Sequence, residues 1–245
     1  MIDIHCHILP GFDDGSDNIE ESVRMARLAV DGGTTAIIAT PHSNVPDKYD
    51  NYFGKEYVET FKALDARLKE EKIPLKLLPG HEVFAANNFI ELINKKRLLT
   101  LCNSDYPLIE FAHNERSESI YEKLGRITAE GLTPIIAHPE RYAFIAADPA
   151  APLRLKKMGC LLQLNKGSLK KKFGRTAYAI ANSLIEREYA DFVASDAHSP
   201  YIRTPYLADA YEIISEIRSS RYAELLLKTN PEKIIRNEKI NTMLR

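Results

Sequence analysis

Short apolar runs alternate with amphipathic stretches along the whole chain. The runs read IDIHCH (2–7), TAIIAT (35–40), KLLPGHEV (76–83), YPLIEF (106–111), TPIIAH (133–138), CLLQLN (160–165) and DFVASDAH (191–198). Between them the spacing turns helical. Ile19, Val23, Ala26 and Val30 recur at i, i+4, i+7 and i+11, behind a capping-box spacing at Asp17 and Glu20 and ahead of a Gly32–Gly33 stop. Tyr57, Phe61, Leu64 and Leu68 form a second stripe before Pro74, and Ile120, Leu124 and Ile127 a third. Further helices are expected over about 152–158, 176–187, 205–218 and 221–236, with Pro231 breaking the last. Pro41 closes the second run, and Pro79 is a poor residue inside the third. Strand then helix, repeated about seven times, predicts an α/β fold on a parallel sheet. Runs apolar on both faces suit buried parallel strands. Periodicity alone fits an open doubly wound sheet or a closed barrel.

The polar residues at the ends of the runs favour the barrel. In order they are His5 and His7, His42, Glu82, Glu110, His138, Asn165, then Asp196 and His198. An open sheet gathers strand ends at one switch point, whereas a barrel gathers all of them around one mouth. Residues i and i+2 share a strand face, so His5 and His7 can reach one ion while Cys6 points away, and Asp196 with His198 repeats the spacing. Each residue taken singly reads as an ordinary hydrogen-bonded side chain. Together, so many carboxylates and imidazoles in one cavity would be costly without cations, so a metal cluster is the expected reading. His81 is expected on the opposite strand face and His113 at the rim.

Composition narrows the function. The chain has 245 residues, 44% of them hydrophobic, enough for a sizeable core in a single domain over 1–245. Its 33 basic and 34 acidic residues give a net charge of −1, which argues against a nucleic-acid partner. No run approaches the ~18 apolar residues of a membrane span, and the opening lacks a secretory pattern, so no membrane insertion and a cytoplasmic location are expected. The cysteines, Cys6, Cys102 and Cys160, form no CxxC pair and suit packing in a reducing compartment. A thiol phosphatase needs Arg six residues after its Cys. Those positions hold Phe12, Leu108 and Lys166, so that chemistry is set aside.

The ordered set DIHCHILPGFDDG, TPH, GHE, LIEF, AHPERY and SDAH resembles the polymerase and histidinol phosphatase (PHP) superfamily. The opening together with HPERY and SDAH looks like its bacterial branch of manganese-dependent tyrosine-protein phosphatases of capsule and exopolysaccharide synthesis. The resemblance runs from residue 1 to about 237. It implies a distorted seven-stranded (β/α)7 TIM-like barrel with three divalent ions at the C-terminal mouth. His5, His7, Glu82 and Asp196 would hold the first ion. Glu82, Glu110 and His138 would hold the second, with Glu82 bridging. Asp14, chosen over Asp13 by the family pattern, would join His42 and His198 on the third. Arg141 of HPER and Arg203 after SDAH would contact phosphate. The departures, Cys6 between the first histidines and His81 before Glu82, touch no ligand position.

That ligand set suits phosphate monoesters. Four carboxylates against three dications and a bridging hydroxide leave about +1 before the two arginines are added. Mixed N/O donors without thiolate suit Mn, Fe or Zn, and the family points to Mn. The expected reaction is in-line attack by a metal-bridging hydroxide on phosphotyrosine, whose phenol (pKa about 10) leaves without strong acid assistance. The expected partner is a tyrosine-phosphorylated protein, a bacterial tyrosine kinase, docking at a rim where Lys48, Tyr49 and Tyr201 lie. The alternatives are a small-molecule phosphoesterase resembling histidinol phosphatase and a non-catalytic metal-binding scaffold.

Overall fold

Parallel pairing alone joins the strands of the computed structural model, which describes residues 1–241. Among the described residues there are nine strands, eight supplied by the seven apolar runs and one of two residues just past the second run. They are β1 (Ile2–Cys6), β2 (Ala36–Ala39), β3 (His42–Ser43), β4 (Lys76–Pro79), β5 (Glu82–Phe84), β6 (Leu108–Glu110), β7 (Ile135–Ala137), β8 (Leu161–Asn165) and β9 (Phe192–Ala194). The third run is cut in two, and the second stops at Pro41, past which β3 begins. Pro41 has no N–H for the ladder. Gly80 turns its N–H and C=O to the Tyr57 hydroxyl, both at 3.1 Å, so its backbone is satisfied from a helix instead of a strand.

These interruptions decide the sheet topology. One sheet runs β1-β2-β4 and the other β3-β5-β6-β7-β8-β9, so the ladders do not close into a single seven-stranded ring. The first and last runs nevertheless touch. His7 N–H donates to Ala197 C=O at 2.9 Å, and Asp196 N–H donates to His5 C=O at 2.8 Å, around an isolated parallel bridge from Cys6 to Ala197. Buried Asp3 reinforces this join by accepting from Ser195 N–H at 3.0 Å.

The helices are α1 (Ile19–Asp31), α2 (Lys55–Glu70), α3 (Phe89–Asn94), α4 (Ser117–Ala129), α5 (Ala143–Ala147), α6 (Ala151–Lys157), α7 (Lys166–Leu169), α8 (Gly174–Glu186), α9 (Ala208–Ile217), α10 (Ser220–Glu224) and α11 (Asn230–Ile235). The long amphipathic stretches appear where their periodicity put them, whereas the short α3, α5 and α7 had no periodic signal long enough to read. Two details differ from expectation. The N-cap of α1 is Asn18, not Asp17: Asn18 is extended (φ −155°) and its side chain accepts from Glu21 N–H at 3.0 Å, while the Glu21 carboxylate accepts from Asp17 N–H at 3.3 Å. Pro231 does not simply break the last helix. A π-helical turn at Leu225–Thr229 ends before α11, placing Pro231 in a new first turn, where its missing N–H costs nothing.

Ile4, Ile38, Leu108, Ile135, Leu161 and Phe192, from strands of both sheets, pack into one apolar cluster. Leucines and isoleucines of the helices pack on the outer strand faces. At the N-terminal ends of the strands, Lys156 donates at 2.5 Å to each carboxylate oxygen of buried Asp191, which also accepts from Leu162 N–H at 2.8 Å. Removing one partner would leave a buried charge unpaired. Lys156→Met is therefore expected to lower unfolding free energy by about 3–5 kcal/mol in urea titration. No helix among the described residues is long and apolar enough to cross a membrane.

Candidate metal centre

At the opposite, C-terminal ends of the strands, the polar residues converge. Register brings some of them side by side: His42 of β3 pairs with Glu82 of β5, and Phe84 pairs with Glu110 of β6. His5 Nε2 lies 3.2 Å from His7 Nε2, as a shared strand face requires, although the register of β1 on β2 shifts between Asp3 and Cys6. Glu82 sits at the centre, fully buried. Its Oε2 is 3.2 Å from His5 Nε2, 3.4 Å from His7 Nε2 and 2.9 Å from His42 Nδ1, and its Oε1 is 3.0 Å from His138 Nε2. Glu110 lies 3.4 Å from His42 and 3.7 Å from His138. Asp14 is more open, with Oδ1 at 3.5 Å from His42 Nε2 and 3.6 Å from His198 Nε2.

Asp196 works in two directions. Its Oδ1 lies 3.5 Å from both His5 and His7, facing the mouth. Its Oδ2 takes Asn165 Nδ2 and Arg203 Nη2, with Arg141 Nη1 at 3.5 Å. Asp196 (φ 49°) and His138 (φ 36°) both hold left-handed backbone, a strained state for such residues and one that clusters at functional sites.

The arrangement fits divalent cations. Three groups of donor atoms lie close enough to share an ion: His7, Asp14, His42 and His198; His5, His7 and Asp196; and His42, Glu82 and Glu110. Glu82 Oε2 is surrounded by three ring nitrogens yet accepts no hydrogen bond, and His42 Nδ1 is likewise without one. Buried polar atoms that crowd together without hydrogen bonding have lone pairs aimed at a common space. The charges agree. Burial works against ionisation of Glu82, but His5 and His42 outweigh it and hold the carboxyl well below its usual range. Burial also disfavours charge on His42, yet Glu82 pulls its pKa up to about 10. A dication would take over the compensation that protons otherwise provide.

The supporting residues were less legible. Asp13, the rejected neighbour of Asp14, is buried and accepts from His7 Nδ1 at 2.6 Å and from His42 N–H at 2.7 Å. Burial opposes its ionisation, but His7 brings its pKa down to about 2. Gln163 Oε1 meets His5 Nδ1 at 2.8 Å, and His198 Nδ1 donates to Asp196 C=O at 3.1 Å. Each contact fixes the ring proton on Nδ1 and leaves the Nε2 lone pair facing the mouth. Gln163 carried a signal, a polar residue inside an apolar strand; Asp13 carried only its place in the DD pair. Gly15 allows the loop to return, since a Cβ there would lie 2.2 Å from His7 C=O.

His81 points away from the mouth, buried, and accepts from Leu99 N–H at 2.9 Å. His113 stacks parallel to His138, ring centroids 6.1 Å apart. At the rim, Tyr49 stacks on His42 at 5.6 Å and Lys48 reaches Asp14 at 3.7 Å, whereas Tyr201 is 67% exposed. No thiol enters the site. Burial raises the Cys102 and Cys160 pKa values to about 12 and pushes Cys6 well up, so none forms a ready thiolate. Iodoacetamide at pH 8 is expected to leave turnover unchanged, and Cys6→Ser to retain it within about threefold, in initial-rate assays.

Comparison with known proteins gives a consistent picture. Residues 1–236 match the family model described as capsular polysaccharide synthesis, CpsB/CapC. The chain is 35% identical over 243 residues to tyrosine-protein phosphatase YwqE of Bacillus subtilis, covering 98% of this chain and 93% of the relative. It is 32% identical over 250 residues to tyrosine-protein phosphatase CpsB of Streptococcus pneumoniae, covering 98% and 100%. One solved structure, from work on YwqE and CpsB as unique metal-dependent tyrosine phosphatases, superposes with a TM-score of 0.91 at 36% identity, covering 98% of this chain and 96% of that one. Histidinol phosphate phosphatase of Lactococcus lactis, solved with zinc, L-histidinol and phosphate, shares the fold at a TM-score of 0.56 and 15% identity, covering 89% and 93%.

Proposed function

The chain belongs to the CpsB/CapC family of capsular polysaccharide synthesis, and from that premise we propose that it is a metal-dependent protein-tyrosine phosphatase. Its substrate on this reading is a tyrosine-phosphorylated protein, a bacterial tyrosine kinase that regulates capsule or exopolysaccharide synthesis in the cytoplasm. One observation carries the proposal: eight metal-capable side chains fall into groups that could each share an ion, His138 joins them beside Glu82 and Glu110, and two arginines reach the same carboxylate from beside it. The relatives' own names support it. We read the two sheets as parts of one distorted seven-stranded (β/α) barrel, a single domain over 1–245.

In this proposal His5, His7, Glu82 and Asp196 hold one ion. Glu82, Glu110 and His138 hold a second, and Asp14, His42 and His198 a third, with manganese as the metal. Divalent ions held by these residues would supply Lewis-acid polarisation of the phosphoryl oxygens and a source of hydroxide at neutral pH. The protein's own residues do the rest. Asp13 and Gln163 keep the protons of His7 and His5 on Nδ1, so both Nε2 atoms stay free to coordinate. Arg141 and Arg203 offer planar forks to the equatorial oxygens, where negative charge must be stabilised as the ester bond breaks. The tyrosine oxygen, a phenol of pKa about 10, departs with little need of an acid.

A substrate panel tests the reading. With manganese added, kcat/KM on a phosphotyrosine peptide is expected to exceed that on histidinol phosphate by roughly 100-fold or more. The reverse order would identify a small-molecule phosphoesterase. No hydrolysis of either ester, nor of p-nitrophenyl phosphate, would identify a scaffold.

A further inference from the structure

Phe173 lies outside every motif of the sequence, in the turn that leads into α8. Both arginines of the site nonetheless rest on it. The Arg141 guanidinium carbon is 4.5 Å from the centre of its ring and that of Arg203 is 5.6 Å away. The two cations come from segments 62 residues apart in sequence and meet here and at Asp196 Oδ2. Two guanidiniums brought to one carboxylate oxygen repel each other, and Asp196 is also a proposed metal ligand through Oδ1. A dication on that carboxylate draws its charge away from the arginines. The electron-rich ring face is then the remaining neighbour that attracts both heads while leaving their N–H groups free to donate.

The surroundings place the ring accurately. A Cβ on Gly167 would sit 2.6 Å from Phe173 Cε2, so the ring occupies space that only glycine leaves open. Gly167 is itself held by Asn165, whose Oδ1 accepts Gly167 N–H at 2.9 Å while its Nδ2 donates to Asp196. Ring, arginines and Asp196 therefore belong to one connected unit. Arg141 and Phe173 also line a cleft of about 520 Å³ with Ala143, Ala146 and Ala177. Without the ring, the Arg141 head has that open volume to swing into.

We propose that Phe173 is a positioning residue, a shared aromatic platform that aims Arg141 and Arg203 together at the phosphoryl group. This deepens the phosphatase reading and rests on it. The platform acts on the direction of the donors, not on metal binding, and so predicts a separable set of effects.

The test compares the chain as wild type, Phe173→Leu, Phe173→Trp and Gly167→Ala, loaded with manganese for the rates and with zinc, a d10 ion that leaves the arginine signals sharp, for NMR. Phe173→Leu keeps apolar bulk but loses the π face. It is expected to lower kcat/KM on a phosphotyrosine peptide by about 10- to 100-fold, the scale of misaimed reacting groups, and to weaken binding of inorganic phosphate. Metal content and the urea unfolding midpoint stay at wild-type values. Phe173→Trp restores most of the rate, and Gly167→Ala, which displaces the ring without removing it, reproduces much of the loss. The Nε–Hε NMR signals of Arg141 and Arg203 carry a ring-current shift that disappears in Phe173→Leu and persists in Phe173→Trp. The proposal is overturned if Phe173→Leu matches wild type in rate and arginine signals, or if the tryptophan variant is no better than the leucine one. If wild type fails on the phosphopeptide while the arginine signals and phosphate binding still respond to Phe173→Leu, the phosphatase reading falls and the platform stands.

Discussion

Stripping the protein with EDTA is expected to reduce hydrolysis of p-nitrophenyl phosphate by more than about 10³-fold, with recovery when Mn is added back. The physical reason lies in Glu82. A carboxylate with no solvent exposure, ringed by His5, His7, His42 and His138, has no water to solvate it and no hydrogen bond to Oε2. Its charge and theirs are compatible with burial only if cations or protons share the space. Protons can balance the charge, but they neither polarise a phosphoryl group nor supply hydroxide at neutral pH. Stability should follow activity. A ligand present at 1,000 times its dissociation constant adds about 4 kcal/mol to the folded state, so the unfolding midpoint should fall on stripping and rise on reloading. Acid acts in the same direction, because imidazoles must be neutral to coordinate and metal leaves as they protonate. Thermal melts with and without EDTA, and at stepwise lower pH, read this directly.

Arg141→Ala is expected to cost about 3 kcal/mol of transition-state stabilisation, a loss of roughly 10²-fold in kcat/KM, with the metal content unchanged. Arg141 is partly open to the mouth and its only ionic partner among the described residues is Asp196 Oδ2 at 3.5 Å, a loose contact that leaves donors available. Arg203 is tied more firmly. Its Nε donates to Asp196 C=O at 3.1 Å, and its Nη2 pairs with the Asp196 carboxylate. Arg203→Ala should therefore lose comparable rate and also loosen the loop that carries His198, whose N–H donates to Arg203 C=O at 2.9 Å. Lysine should rescue neither position, since it lacks the planar fork and stacks poorly on Phe173. The double variant should lose less than the sum of the two, because both arginines reach Asp196 Oδ2 and the proposal gives them the same oxygens to serve. Steady-state kinetics with metal analysis on each variant checks these outcomes.

Much of this was readable in the chain because strand geometry is simple. A two-residue period forces His5 and His7 to one side, and strand ends collect at one edge of a parallel sheet wherever the strands lie. What was not readable depends on contacts between distant loops. The split of the third run needed Tyr57, a helix residue, to satisfy Gly80. The choice between Asp13 and Asp14 carried no signal in their spacing. In the structure Asp13 turns inward to orient His7, whereas Asp14 stays half exposed beside His42 and His198. The cap of α1 moved from Asp17 to Asn18 because both residues can accept a backbone N–H and only the backbone turn decides which one does. Phe173 had no motif at all. Its role arises from three segments that meet in space, and an aromatic residue in a lysine-rich loop carries no periodicity to mark it.

Anomalous diffraction from a crystal grown with excess manganese is the most direct measurement. Three peaks are predicted within one mouth: one bonded by His5, His7 and Asp196, one by Glu110 and His138, and one by Asp14, His42 and His198, with Glu82 bridging the first two. A mouth without anomalous density, or these side chains turned away from whatever density appears, would contradict the account.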